Sequence, residues 1–337
     1  MGARPRVVVL AGSDLFTSFF DAPRLRRLRR SFDWVRSATR EKGPALRSVL
    51  AEAEGLVTTW DSPGFGPELT ALAPRLGIVA HCGGEVKGRF DRSLFRHLTI
   101  TNAPGPMAHH VAELAVTFLL MAARQIDDHR DALRRRSNRV YRDVHLHGCG
   151  RETLRDRNVG VVGLGRIGQG IVAMMKPFGP RVSAYDPYVP RRVVRRLEVA
   201  VEPLSRVLAR SEFLVLAAGL TDETRGMIDR AALARLPDGA TVVNVGRGGL
   251  VDLPALAREV RHGRLRCALD VTDPLEPLPL DHPLRRMRGA ILTPHVGAGA
   301  IEVRRQMADL VLDGLERFFR GERPTTRVTP AMLDRMT

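Results

Sequence analysis

Lysine is nearly absent from this chain. Of its 53 basic residues only Lys42, Lys87 and Lys176 are lysine, and the formal net charge is +16. A charge of that size invites a nucleic-acid reading. The arginines, however, are spread along the chain rather than gathered in one arm. That argues for biased residue usage and solvated arginine faces, and nucleic acid is not an expected partner. The positive field would still concentrate small anions. Cysteine is also scarce. Cys82, Cys149 and Cys267 form no C-x-x-C pair, which argues against a disulfide framework and fits a reducing, cytoplasmic setting. The N-terminus passes from Arg4 and Arg6 straight into Val7-Val8-Val9-Leu10, too short for a signal segment and readable as a first strand. No apolar run of membrane-spanning length is evident, so no membrane span is expected. Repeats and low-complexity linkers are lacking. His145, His147 and Cys149 have metal-ligand types but no evident fourth ligand, so no metal is expected.

What is present points elsewhere. The chain has 337 residues, enough for one or two domains, and 44% are hydrophobic, enough for real cores. Its organising stretch runs from Asn158 to Pro187. Val159 to Val162 is an apolar run of the kind found in a strand buried on both faces. Gly163, Gly165 and Gly168 follow at G-x-G-x-x-G spacing, then a helical pattern, then a second strand from Val182 to Tyr185 that ends at Asp186. In such a βαβ unit Gly163 permits the tight turn, Gly165 lets backbone approach a pyrophosphate, and Gly168 lets helix and strand pack. The helix N-terminus offers free N–H groups to phosphate. Asp186 is placed to accept hydrogen bonds from a ribose and to repel a 2′-phosphate, which favours NAD over NADP.

The α/β rhythm extends over the chain. Strands are expected at Arg6 to Ala11, Leu56 to Thr59, Leu76 to Ala80 and Leu98 to Asn102. Between them lie a basic helix around Pro23 to Arg30 and a short helix at Glu68 to Ala73. Ligands of such sheets bind outside the strands' carboxyl ends. Cys82, Gly83 and Gly84 stand at one such end, where backbone N–H groups could hold a substrate carboxylate. After a break at Pro104 to Pro106, a long amphipathic helix is expected to about Arg136, with His109 and His110 facing solvent or capping near its start. Beyond Asp186 come a helix over Leu204 to Arg210 and a strand at Phe213 to Ala217. Next are a helix-starting loop at Thr221 to Arg225, a strand at Ala240 to Val245 and a helix at Leu253 to His262. Strands at Cys267 to Val271 and Ala290 to Leu292 precede a final helix at Val303 to Phe319.

Arg247, Glu276 and His295 stand at the carboxyl ends of three successive strands of this second half. The set suits hydride chemistry on a 2-keto acid. A histidine can supply the proton for the carbonyl oxygen. A neighbouring carboxylate favours the protonated ring and fixes its orientation. An arginine can pair with the substrate carboxylate through its fork of donors.

With these residues in view, the chain resembles the D-isomer-specific 2-hydroxyacid dehydrogenase family, which includes phosphoglycerate dehydrogenase and glyoxylate/hydroxypyruvate reductase. The segments that carry the likeness are VGVVGLGRIGQ (159–169), YDP (185–187), LTDETRGMID (220–229), NVGRGGLVD (244–252), ALDVTDPLEPLP (268–279), DHPL (281–284) and TPHVGAG (293–299). The resemblance implies an α/β fold in which a Rossmann dinucleotide-binding domain, residues 106–298, is inserted into a smaller flavodoxin-like substrate domain made of 1–105 and 299–337. It implies that Arg247 binds substrate, that Glu276 assists the histidine and that His295 is the acid/base. It also implies that Arg166, Ile167, Asp186, Val245, Gly246, Asp270, His295 and Gly297 line the NAD site. A homodimer through the cofactor domain is implied as well.

Three departures stand out. Ala217-Ala218-Gly219 replaces the His-x-Pro or Thr-Pro pair usual before L-T-x-E-T, which loosens one wall of the cofactor site. Glu276 lies six rather than five residues after Asp270, leaving Asp273 as a rival partner for His295. Cys82-Gly83-Gly84-Glu85-Val86-Lys87 differs from the usual G-V-G-x-D loop, and Lys87 could meet a second anionic group. The expected function is an NAD-dependent oxidoreductase acting on a 2-keto/2-hydroxy acid pair. The alternative is a dinucleotide-sensing binding protein of co-repressor type.

Overall fold

The computed structural model describes residues 3–38, 43–134 and 153–334. Lys42, His145, His147 and Cys149 lie outside the described residues, as does the expected end of the long helix near Arg136. The chain forms two compact units: residues 1–107 with 298–337, and residues 108–297.

The first unit is built on strands β1 (Arg6–Leu10), β2 (Asp33–Ser37), β3 (Gly55–Thr58), β4 (Ile78–His81) and β5 (Thr99–Asn102), all parallel, in the order β2-β1-β3-β4-β5. That is the flavodoxin-like order. Alternation along β1 explains why its valines are continuous. Val7 and Val9 enter one core with Phe19, Met307, Val311 and Leu315, while Val8 and Leu10 enter another with Leu46, Leu50, Leu69 and Leu94. Side chains on successive strand residues point to opposite faces, so a strand covered on both sides needs apolar residues at every position. The long C-terminal helix Ile301–Phe319 covers the first of these faces. Helix Ala22–Ser31 is tied to it by Arg27, whose guanidinium bonds both oxygens of Glu316 and also Asp313.

The second unit holds β6 (Asn158–Val162), β7 (Arg181–Tyr185), β8 (Ala200–Val201), β9 (Phe213–Leu216), β10 (Thr241–Asn244), β11 (Arg266–Leu269) and β12 (Ala290–Leu292). They pair in parallel in the order β12-β11-β10-β9-β6-β7-β8. The order reverses between β6 and β9, which is where open α/β sheets bind dinucleotides.

Helix Pro104–Ala123 differs from expectation at both ends. The prolines expected to break the chain form its first turn, where N–H groups have no intrahelical partner and proline costs nothing. The helix stops at Ala123, and a second one, Ile126–Arg134, starts after Gln125, whose φ of 48° is left-handed. Contrary to the sequence expectation, Pro104–Ala123 is long and apolar enough to cross a membrane by length and composition. Half of that window is buried, with Val111, Ala115, Phe118 and Leu119 inside the fold.

Candidate active site

In the second unit β6 delivers the glycine-rich turn. Gly163 has φ of +91°, and a Cβ there would meet the backbone of Ala217 and Ala218. The Ala-Ala-Gly departure therefore keeps its backbone tight against the turn, and Ala217 N–H bonds Val162 O at 2.9 Å. Gly168 packs so closely on the Gly163 carbonyl that a Cβ would overlap it. Around Gly165 there is open space: beyond its own chain neighbours, no heavy atom lies within 4 Å of where a Cβ would be. Gly165 caps helix Arg166–Met175 with no side-chain hydrogen bond, so the first-turn N–H groups at Arg166, Ile167 and Gly168 are left for a ligand. This cradle fits a pyrophosphate.

Asp186 stands past the end of β7. Its Oδ2 accepts from Leu164 N–H at 2.7 Å and its Oδ1 from Tyr188 N–H at 2.8 Å. The carboxylate is thus fixed to the glycine-rich turn, with lone pairs left over for ribose hydroxyls. The loop that follows Asp186 is linked to the Leu220–Arg225 segment through Tyr188 and Glu223. The sequence reads Thr221 to Arg225 as a helix-starting loop. It is a closed turn, with Thr224 hydroxyl donating to Gly219 O at 2.6 Å, and the helix that follows starts at Arg230 with Asp229 as its cap. Tyr188 hydroxyl donates to Glu223 at 2.7 Å and joins the two loops.

The three chemical residues follow β10, β11 and β12, which are direct neighbours in the sheet. After β10, Val245 and Gly246 are buried and Arg247 is half-buried. Asn244 organises this turn: its amide donates to Arg247 O at 2.9 Å, and its carbonyl accepts from Gly246 N–H at 3.1 Å. Arg247 itself donates to Gly246 O at 2.8 Å, which leaves most of its fork of donors free.

After β11, Asp270 is only 3% exposed. The resemblance implies a place for it along the cofactor. In the structure its carboxylate is engaged with the β12 turn. It accepts from Thr293 hydroxyl at 2.6 Å, Val296 N–H at 2.8 Å and Gly297 N–H at 3.0 Å, and its carbonyl accepts from His295 N–H at 3.0 Å. A buried carboxylate with three donors is satisfied. It holds His295 in a left-handed conformation, φ 54°. The His295 side chain is half-exposed, and its Nδ1 lies 2.8 Å from Glu276 Oε1. Of the two rival acids, Glu276 is the one beside the imidazole. Asn244 and Thr293 went unassigned in the sequence reading, because their role is local hydrogen bonding that no spacing reveals.

In the first unit, β4 ends at His81, followed by Cys82, Gly83 and Gly84. Cys82 was expected to bind substrate, but its side chain is fully buried in the core with Phe16 and Phe20, and burial pushes its thiol well above the ordinary range. Its backbone N–H is used as well, donating to Thr58 O at 2.8 Å. Gly83 and Gly84 N–H groups donate to none of the described acceptors. Their carbonyls are used, by Ala103 N–H at 2.8 Å and the Asn102 amide at 2.6 Å. A Cβ at Gly83 would run into the His81 imidazole and the Trp60 indole nitrogen, so only glycine fits. His81 is buried, its Nδ1 is 2.9 Å from the Thr58 hydroxyl, and burial lowers its pKa to about 3. Lys87 is exposed. Among the described residues, no group of His, Cys, Asp or Glu is placed to hold a metal ion.

The sequence model of the D-isomer specific 2-hydroxyacid dehydrogenase NAD-binding domain matches residues 116–297. The chain belongs to the D-isomer specific 2-hydroxyacid dehydrogenase family. D-3-phosphoglycerate dehydrogenase of Mycobacterium leprae is 36% identical over 86% of this chain and 53% of its own length. The chain thus spans about half the length of the first of its curated relatives. Glyoxylate reductase of Korarchaeum cryptofilum is 31% identical over 86% of this chain and 88% of its own. Among solved structures, the NADPH-dependent glyoxylate/hydroxypyruvate reductase of Sinorhizobium meliloti is 25% identical, with a TM-score of 0.76 and coverage of 99% of each chain. The family assignment makes the cofactor of the second unit a nicotinamide dinucleotide.

Proposed function

We propose that this family member is an NAD-dependent oxidoreductase that interconverts a 2-keto acid and a D-2-hydroxy acid. The observation that carries the reading is the 2.8 Å contact between His295 Nδ1 and Glu276 Oε1, on strand ends next to that of Arg247. With Nδ1 turned to a carboxylate, the ring keeps a proton there, and Nε2 is the nitrogen that gives or takes the substrate's proton. Arg247 pairs with the substrate carboxylate through its free donors and polarises the carbonyl. Gly83 and Gly84 N–H groups are the first unit's candidates for substrate anions. The reduced nicotinamide supplies hydride when bound; the residues here orient the keto acid and manage the proton.

NAD is the favoured form of the cofactor. Asp186 keeps a carboxylate fixed at the end of β7, and a 2′-phosphate placed there would meet its charge. Family resemblance further supports a homodimer through the cofactor unit, to be tested by light scattering, and cysteine usage supports a cytoplasmic setting. The co-repressor-type alternative has no specific observation in its favour, since Arg247, Glu276 and His295 are all present.

The test is an absorbance assay of NADH, repeated with NADPH, against glyoxylate, hydroxypyruvate, pyruvate, phenylpyruvate and 2-ketoisocaproate. Oxidation of NADH by at least one acid is expected. Tight NADH binding with no oxidation by any of them would favour the sensor.

A further inference from the structure

Two loops flank the glycine-rich turn of the second unit. Strand β6, which delivers that turn, lies between β7 and β9 in the sheet, so the loops that follow β7 and β9 stand on either side of it. Each loop is braced within itself. After β7, Asp186 ties Tyr188 N–H to one carboxylate oxygen at 2.8 Å and Leu164 N–H to the other at 2.7 Å. After β9, Thr224 Oγ1 accepts from Thr221 N–H at 2.8 Å and donates to Gly219 O at 2.6 Å, and Arg225 N–H bonds Thr221 O at 2.9 Å. One side-chain bond then joins the two loops: Tyr188 hydroxyl donates to Glu223 Oε2 at 2.7 Å, between residues 35 apart in the chain. Tyr188 is nevertheless 58% exposed, and Glu223 is exposed too. A bond between two exposed side chains adds little to the stability of the fold, because water competes for both partners.

We propose that Tyr188 and Glu223 are cofactor-retaining residues, whose side chains clasp the adenosine half of the dinucleotide between the two loops. With pyrophosphate on the N-terminus of helix Arg166–Met175 and ribose at Asp186, the base carried by that ribose falls beside the Tyr188–Glu223 bond. A base packed there shields the bond from water and strengthens it, and the tyrosine ring gives the base a flat apolar surface. The inference deepens the dinucleotide reading of this unit and rests on it.

The test is NADH binding by fluorescence titration, with dissociation followed by stopped flow, in Tyr188→Phe, Glu223→Ala and the double variant. Each single variant is expected to raise Kd about 5- to 20-fold, mostly through faster dissociation, and the double variant to lose no more than either. Glu223→Gln, which keeps an acceptor, should recover part of the loss. Removing an acid close to an anionic cofactor would otherwise tighten binding, so weaker binding in Glu223→Ala separates the clasp from simple charge. As competitors of NADH, ADP-ribose should lose affinity by the same factor, and reduced nicotinamide mononucleotide, which lacks the adenosine, should lose none. Wild-type Kd in both single variants, tighter binding in Glu223→Ala, or an equal loss for the mononucleotide overturns the clasp and leaves the dinucleotide reading standing. Absence of NADH binding in the wild type overturns both.

Discussion

Glu276 Oε1 lies 2.8 Å from His295 Nδ1, although one residue more separates Glu276 from Asp270 than is usual in the family it resembles. The acid loop absorbs the extra residue by turning on itself: Thr272 hydroxyl donates to Leu275 O at 2.6 Å, and Leu275 projects to solvent, 55% exposed. Glu276→Gln keeps a hydrogen-bond acceptor but removes the carboxylate charge beside the ring. It should lower kcat about 10- to 100-fold, and Asp273→Asn should do far less, as measured by steady-state NADH oxidation.

Asp270 is the anchor of the histidine turn. Asp270→Ala leaves Val296 N–H, Gly297 N–H and the Thr293 hydroxyl without their acceptor. The expected cost is about 3 kcal/mol in urea unfolding of the second unit, with a loss of turnover to match, because His295 no longer has a fixed turn. Wild-type stability in this variant would show the turn holds itself.

Asp186 can be tested through its charge. Asp186→Asn preserves an oxygen for Leu164 or Tyr188 N–H but removes the negative charge. NADH affinity should fall about tenfold while NADPH affinity rises, as read by equilibrium fluorescence titration. A variant as selective for NADH as wild type would assign selectivity elsewhere.

The glycine-rich unit was legible because its signals are local: glycine spacing, an apolar strand and a terminal acid all fall between Asn158 and Asp186. Strand β2 was missed because it is an edge strand, and only Ser37 of Asp33–Ser37 is buried, so it shows no apolar run. Helix Ser13–Phe19 was missed because Gly12 gives it no side-chain cap. The break at Gln125 depends on a left-handed residue that is not glycine, which composition does not betray. The commitment of Asp270 to residues 293–297 joins positions more than twenty apart, and the burial of the Cys82 thiol depends on which face of β4's end meets the core. Both are products of packing rather than of motif.

His81 gives the first unit a pH dependence of known sign. Burial, with Arg89 adding to it, lowers its folded pKa to about 3, below the 6.5 of an exposed ring. Below about 6.5 the unfolded chain binds a proton that the folded one refuses. Stability is therefore full above that pH and falls by up to about 1.4 kcal/mol per pH unit below it, until the folded pKa is reached. His81→Gln should flatten this slope in denaturation curves between pH 4 and 6.5, whatever it costs at neutrality.

Arg27 and Glu316 supply a second test of the same sign in the same unit. The Arg27 hydrogen bond holds the Glu316 carboxyl below its ordinary value, more than burial raises it. The contribution is present above the unfolded pKa and is lost as pH falls through the lowered folded value. Both side chains are about one-fifth exposed, so Glu316→Gln should cost only about 1 kcal/mol at neutral pH, measured in the same unfolding experiment.

The most direct measurement is single-turnover oxidation of bound NADH by an acid that the wild type reduces, in His295→Ala beside wild type. The account predicts a loss of about 10³-fold or more in the chemical step, with NADH still bound within a few-fold of wild-type affinity. A His295→Ala protein that oxidises NADH at the wild-type rate would contradict the assignment of the proton to this imidazole.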